Sequence, residues 1–156
     1  MPAEKPQTQD CNCFAVRQAA RHVSQFYDQH LASIGLRTSQ FSILAKLRRL
    51  GPMTINALAA ELVMDRTTLG RNVLPLERDG LIAIKPGATD RRVKELHLTA
   101  AGAEKVRAGV KLWAAAQSRF EAAFGPKRSA ELRGLLRTLV ATDFGAAQEA
   151  ALNRAG

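Results

Sequence analysis

The sequence predicts a mainly α-helical protein with one small β-hairpin. Three observations carry that reading. Apolar residues recur at helical spacing through most of the chain. Two short β-type runs, LIAIK (81–85) and VKELHL (93–98), flank a turn-rich tip, PGATDRR. No run approaches the ~20 uninterrupted apolar residues that a membrane span needs. With 156 residues, 46% of them hydrophobic, the chain suits one domain or two small lobes sharing a core, and it is too apolar for disorder.

The opening MPAEKPQTQD lacks the apolar stretch of a signal peptide. Residues 1–11 are therefore expected to be a disordered arm on a cytoplasmic protein. From Phe14 to about Ile34, the residues Val16, Ala19, Ala20, Val23, Phe26, Tyr27, Leu31 and Ile34 follow a helical period, and Gly35 supplies the stop. Thr38 or Ser39 can cap the next helix, whose stripe is Phe41, Leu44, Leu47 and Leu50, closed by Gly51-Pro52. Thr54 caps a short helix that turns Ile55, Leu58, Ala59 and Leu62 inward. Asp65 is a strong cap for a further helix carrying Leu69, Val73 and Leu76, with Gly80 as its stop. Pro75 lies inside that helix and is expected to bend it near Arg71, because it removes one backbone donor.

After the hairpin, Thr99 caps a long helix with Val106, Val110, Trp113, Phe120 and Phe124 along one seam, broken by Gly125-Pro126. The steps follow a heptad with Gln117 in the missing slot. A last helix carries Leu132, Leu135, Leu136, Leu139 and Val140, and residues 146–156 read as a tail. The first helix and the last two are too apolar to stand alone at a surface. Their simplest use is to pack together and against a second copy of the chain.

Charge points to a partner. The net charge is +9, and residues 37–99 carry 11 basic and 6 acidic groups, a balance of +5. Such an excess attracts polyanions, with nucleic acid the commonest and an acidic membrane surface the rival; the bland alternative is solubility. Cys11 and Cys13, one residue apart, cannot staple a fold, which excludes a disulfide scaffold. With His22, His30 and His97 scattered, they make no zinc set either, so no metal and no cofactor is expected. A phosphate-cradling glycine loop, a His-Glu-x-x-His motif and a credible nucleophile–base pair are all missing, which argues against an enzyme.

Residues 54–80 have the layout of a helix-turn-helix: a short helix with small Ala57, Ala59 and Ala60 for close crossing, a tight turn, then a helix with a polar N-terminal face. In such motifs the second helix enters the major groove. Here it offers Arg66, Thr67, Thr68, Arg71 and Asn72, of which arginine suits guanine and threonine suits a phosphate or the thymine methyl. The hairpin directly after it makes a wing whose tip carries Asp90, Arg91 and Arg92. Arginine is favoured in a narrow A·T minor groove, and Asp90 can hold one arginine extended. The expected architecture is thus a winged helix-turn-helix lobe (37–99) plus a helical dimerisation region (12–36 and 100–145).

At this point the chain resembles the MarR family. The run DRRVKELHLTAAG (Asp90 to Gly102) is similar to that family's Asp-x-Arg wing followed by Leu-Thr-x-x-Gly. The likeness extends through MDRTTLGRNVLPLERDGLI (64–82) and FSILAKL (41–47), and covers roughly residues 12–145. The resemblance implies a homodimeric transcriptional regulator, usually a repressor, that binds double-stranded DNA and is released by a small ligand or an oxidant. It also implies terminal helices at the dimer interface, Arg92 in the minor groove with Asp90 orienting it, and a recognition helix starting at Arg66.

Two effector schemes remain open. A ligand pocket beside the dimer helices has candidates in Arg17, Arg21, His22, Tyr27 and Trp113, and cations with an aromatic wall suit a phenolic or aromatic carboxylate. Tyr27 and Trp113 serve equally well as core packing. The stretch CNCFAVR also resembles the start of the organic-peroxide-sensing branch, where Cys13 would be the reactive thiol and Tyr27 one of its tyrosine partners. Arg17 and Thr38 stand where the other two tyrosines would be. Cys11 and Cys13 are otherwise small fillers of an interface. An architectural DNA binder without any effector is the last alternative.

Overall fold

The structure is a computed structural model that describes residues 11–145. The expected arm, save Cys11, and the expected tail (146–156) lie outside the described residues. The elements run α1 (Asn12–Leu31), a 3-10 turn (Ala32–Ile34), α2 (Thr38–Leu50), β1 (Met53–Thr54), α3 (Ile55–Glu61), α4 (Arg66–Arg78), β2 (Ile82–Pro86), β3 (Lys94–Leu98), α5 (Ala100–Phe124) and α6 (Pro126–Ala141). The chain divides into two compact units, residues 1–116 and 117–156.

In the first unit, Leu31, Ile43, Leu44, Leu58, Leu69, Leu76, Ile82 and Val106 are all but sealed from solvent and share one core. α3 and α4 meet it with the stripe their spacing dictates, whereas α1 gives it only Leu31, and Leu50 of α2 and Val110 and Trp113 of α5, expected inward, are exposed. Gly35 closes the 3-10 turn in the left-handed region at φ 69°, as the stop after Ile34 requires. Thr54 accepts the Ala57 N–H at 3.1 Å and starts α3.

The start of α2 differs from expectation. Arg37 is its cap residue in extended backbone and Thr38 is already helical. The free N–H groups are met by Gln40, which accepts from Arg37 at 3.0 Å, and by Asp28 of α1, which accepts from Thr38 at 2.6 Å. Ser39 turns away and donates to Asn72 of α4 at 3.1 Å. An acceptor ten residues upstream thus does the work expected of a local hydroxyl, and it also fastens α1 to α2. At Pro75, α4 runs on without a break. The proline costs the helix one donor, the one that would have reached Arg71; packing of Leu69, Val73 and Leu76 on the core carries the helix across it.

The hairpin strands start one residue later than the sequence suggests, Ile82 pairing Leu98 through to Pro86 pairing Lys94. A third strand was not anticipated. Met53 and Thr54 pair antiparallel with Leu96 and Glu95, giving the sheet order β1-β3-β2. β1 ties the entry of α3 to the hairpin through hydrogen-bonded backbone.

The junction of hairpin and α5 is tightly drawn. Thr99 Oγ1 donates to the Gly80 carbonyl at 2.6 Å and accepts the Gly102 N–H at 3.0 Å, while the Thr99 N–H reaches the Leu81 carbonyl at 3.2 Å. Further along α5, Gly109 lies under the Phe41 ring, where an added Cβ would come within 2.5 Å of Cε2.

In the second unit, Glu121 collects Gln117 Nε2 at 2.8 Å and Arg133 Nη1 at 3.0 Å. These two donors hold its carboxyl below the ordinary value. Gln117, the polar break in the heptad, therefore serves a network that links α5 to α6. Arg128 stacks over Phe124 at 4.5 Å from the ring centre.

Among the described residues, no helix is long and apolar enough to cross a membrane, and no His, Cys, Asp or Glu cluster could hold a metal ion.

Candidate nucleic-acid interface

The turn between α3 and α4 is closed by backbone bonds from Val63 N–H to Ala60 at 3.2 Å and from Met64 N–H to Ala59 at 2.9 Å. Val63 sits there at φ 49°, in a region that β-branched residues rarely enter. Its side chain is 74% exposed and packs on little. Val63→Gly should therefore remove ~1–2 kcal/mol of left-handed strain against a glycine entropy cost of up to ~1 kcal/mol. The expected result is a rise in Tm of a few degrees by calorimetry; a fall would show that the turn carries no strain.

Asp65 then starts α4. Its carboxylate accepts the Thr68 N–H at 2.8 Å and the Thr68 hydroxyl at 2.6 Å, and these bonds hold its carboxyl below the ordinary value. By linkage, a depressed folded value means that the cap stabilises fully above the ordinary aspartate range and is lost as pH falls through the lowered value. Asp65→Ala should lower Tm at neutral pH and should erase that part of the acid dependence, which a Tm series from pH 7 to 3 would read.

Leu69, Val73 and Leu76 face the core, while Arg66, Thr67, Arg71, Leu74, Glu77 and Arg78 are exposed. Among the described residues, the side chains of Arg66, Thr67 and Arg71 hold no hydrogen bond or ion pair within the protein. Thr68 and Asn72 stand differently. The Thr68 hydroxyl is spent on Asp65. The Asn72 amide donates to the Thr68 carbonyl at 2.9 Å and accepts from Ser39, so it ties α4 to α2.

At the hairpin tip, Gly87 N–H binds the Val93 carbonyl at 2.7 Å and Val93 N–H binds the Asp90 carbonyl at 3.1 Å. Gly87 is required there, since a Cβ would lie 2.8 Å from Asp90 O and 3.2 Å from Val93 O. Asp90 orders the arginine two residues on. Its carboxylate accepts the Arg92 N–H at 2.9 Å, Nε at 3.2 Å and Nη2 at 3.3 Å. The Arg92 fork holds the Asp90 carboxyl below its ordinary value, while the Arg92 side chain is 91% exposed. Arg91 is exposed beside it.

The effector candidates are less gathered. Arg17, Arg21 and His22 lie exposed along α1, Tyr27 is half-buried against Phe26 with ring centres 5.6 Å apart, and Trp113 is 41% exposed on α5. None of the five lines either of two open surface clefts, one bounded by Asp28, Leu36, Arg37 and Gln40 and the other by Ser33, Ile34, Arg107 and Lys111. Cys11 and Cys13 are free and exposed at the start of α1. The sequence pattern did not reveal the Asp28 and Ser39 links, whose partners are 10 and 33 residues away.

A helix-turn-helix followed by a hairpin with a pre-formed arginine tip defines a winged-helix protein. Residues 36–94 match the model of the MarR family. A regulator of Bacillus subtilis (strain 168), the uncharacterized HTH-type transcriptional regulator YwoH, is 33% identical over 84 residues, 54% of this chain; the aligned part spans 61% of that relative's length. Two crystal structures of the M. tuberculosis transcriptional regulator MosR share the fold. One matches at 33% identity and a TM-score of 0.73, over 87% of this chain and 100% of that one. The other, solved in complex with DNA, matches at 37% identity and a TM-score of 0.71, over 84% of this chain and 97% of that one. The chain belongs to the MarR family, a family of DNA-binding transcriptional regulators and not of enzymes.

Proposed function

We propose that the protein is a homodimeric repressor that binds a pseudo-palindromic operator in double-stranded DNA. In this reading α4 enters the major groove and presents Arg66, Thr67 and Arg71 to base edges, with Thr68 at its N-terminus. Asn72 positions the helix through Ser39. Arg92 enters the flanking minor groove, and Arg91 meets phosphate. The observation that carries the reading is the pairing of uncommitted Arg66, Thr67 and Arg71 on α4 with an exposed wing arginine, Arg92, already bonded to Asp90, on one hydrogen-bonded lobe. The test is fluorescence anisotropy on operator DNA at fixed salt. Arg71→Ala should relax sequence choice, whereas exposed lysine-to-alanine changes should mainly lower the salt slope. Unchanged sequence choice in Arg71→Ala would remove α4 from the major groove.

Dimerisation is assigned to residues 12–36 and 100–145. Supporting it, α1 exposes Phe14 and Val16, α5 exposes Val110 and Trp113, and α6 exposes Leu135, Leu136, Leu139 and Val140. Apolar side chains in such number call for a partner surface, and a second copy gives the two-fold symmetry that a palindrome needs. Sedimentation equilibrium should return twice the chain mass of 16.9 kDa. We assign release to a small aromatic or phenolic acid, with Arg17, Arg21 and His22 as cations and Tyr27 and Trp113 as wall once two copies pair.

One observation favours a second reading, a thiol switch. Cys11 and Cys13 are both exposed, Cys11 at the cap position of α1 and Cys13 in its first turn, where an oxidant in solvent can reach them. If peroxide weakens operator binding, Cys13→Ser should abolish that loss; persistence of the effect in the variant would end the thiol reading.

A further inference from the structure

Three glycines interrupt helices of the first unit, and two of them have a packing reason. At Gly102 and Gly109 an added Cβ would strike neighbouring atoms, the Leu81 carbonyl in one case and the Phe41 ring in the other. Gly70, in the middle of α4, has none: nothing lies within 4 Å of the position its Cβ would take. A mid-helix glycine weakens the helix relative to alanine, so the fold alone gives no use for it. The other open helical glycine, Gly134, lies on α6 beside the exposed Leu135 and Leu136, again on a surface read as an interface.

One turn on from Gly70 is Leu74, 62% exposed on a helix whose other exposed positions are Arg66, Thr67, Thr68, Arg71, Glu77 and Arg78. Residues four apart share a helix face, and a helical side chain leans back over the turn before it. Leu74 and the bare backbone at Gly70 therefore form an open apolar notch bordered by Arg66, Arg71 and Arg78 and by the single acid Glu77. We propose that this notch accepts the C5-methyl of a thymine in the major groove, which makes Gly70 and Leu74 determinants of operator sequence. The inference rests on α4 being the recognition helix. A side chain at Gly70 would fill the notch and hold the helix off the base edges; Leu74 supplies the apolar contact that a methyl group prefers.

The experiment uses the full chain and the operator recovered by selection from random duplexes. Affinity is measured by anisotropy for the wild type, Gly70→Ala, Leu74→Ala and Arg71→Ala, on the operator and on duplexes in which each thymine in turn is replaced by deoxyuridine, which lacks only the methyl. Gly70→Ala should raise Tm by roughly 2–4 °C and yet weaken operator binding about tenfold. The wild type should lose about fourfold at one thymine position, and Leu74→Ala should lose nothing further there. Full operator affinity in Gly70→Ala, or indifference of the wild type to every methyl, overturns the proposal. Arg71→Ala separates the two ways of failing: if it relaxes sequence choice, only the notch is wrong, and if it does not, the placement of α4 is wrong too.

Discussion

Replacing Gly102 by alanine is expected to destabilise the winged-helix lobe more than any other single methyl addition. The new Cβ would collide with the backbone carbonyl of Leu81 and would lie 2.6 Å from Leu98 Cδ1. A side chain can swing aside, but this carbonyl cannot. It accepts the Thr99 N–H, and Thr99 in turn is bonded to Gly80 and to Gly102 itself. Leu81 and Ile82 are also buried in the core. Relief therefore means breaking the bonds that seat the first turn of α5 on the hairpin, or lifting the hairpin off the core. Overpacking typically costs 1–3 kcal/mol and each lost hydrogen bond ~1 kcal/mol, so a loss of ~3 kcal/mol is expected, a large share of a typical 5–15 kcal/mol. Thermal denaturation should show Tm falling by roughly 6–12 °C. Gly109→Ala should cost less, because the Phe41 ring can shift, and Gly70→Ala should move in the opposite direction. A Gly102→Ala protein with an unchanged Tm would mean that the junction is looser than its hydrogen bonds imply.

Removal of the wing arginine should weaken binding and also change its sequence preference. Arg92→Ala is expected to weaken affinity for an operator with A·T-rich flanks roughly tenfold at fixed salt, and to blunt the preference for those flanks. A narrow A·T minor groove concentrates negative potential and attracts an inserted guanidinium. Asp90 makes that insertion cheaper in entropy by holding Arg92 through its N–H, Nε and Nη2. Asp90→Ala should therefore weaken binding by a smaller factor and leave the flank preference in place, since the guanidinium remains but is no longer ordered. Arg91→Ala should weaken binding evenly across flanking sequences and reduce the salt slope by about 1. Wild-type affinity in Arg92→Ala with the A·T flank preference intact would place the wing outside the groove.

Much of the lobe was legible because its signals are local. Thr54, Asp65 and Thr99 cap helices through backbone groups three residues away, which is the range a sequence pattern can express. The Asp90–Arg92 pair spans two residues and was read in the same way. What escaped has distant partners or little propensity of its own. β1 is two residues long and exists only because Met53 and Thr54 meet Leu96 and Glu95. Asp28 caps a helix ten residues on, and Asn72, expected at base edges, is bonded to Ser39 in another helix. The left-handed turn at Val63 was invisible because nothing about valine announces it. The effector residues were the least legible part: Arg17, Arg21 and His22 are spaced along an exposed face of α1, and a side chain's class does not say what a second copy would place opposite it.

Selection of bound fragments from a pool of random duplex DNA tests the central claim most directly, with the purified full chain as bait at a fixed salt concentration. The expected result is an inverted repeat with half-sites about one helical turn apart, roughly 34–36 Å, and A·T enrichment where the wings reach. An asymmetric consensus, or recovery of fragments with no shared sequence, would contradict it and leave a DNA binder that recognises backbone and shape alone.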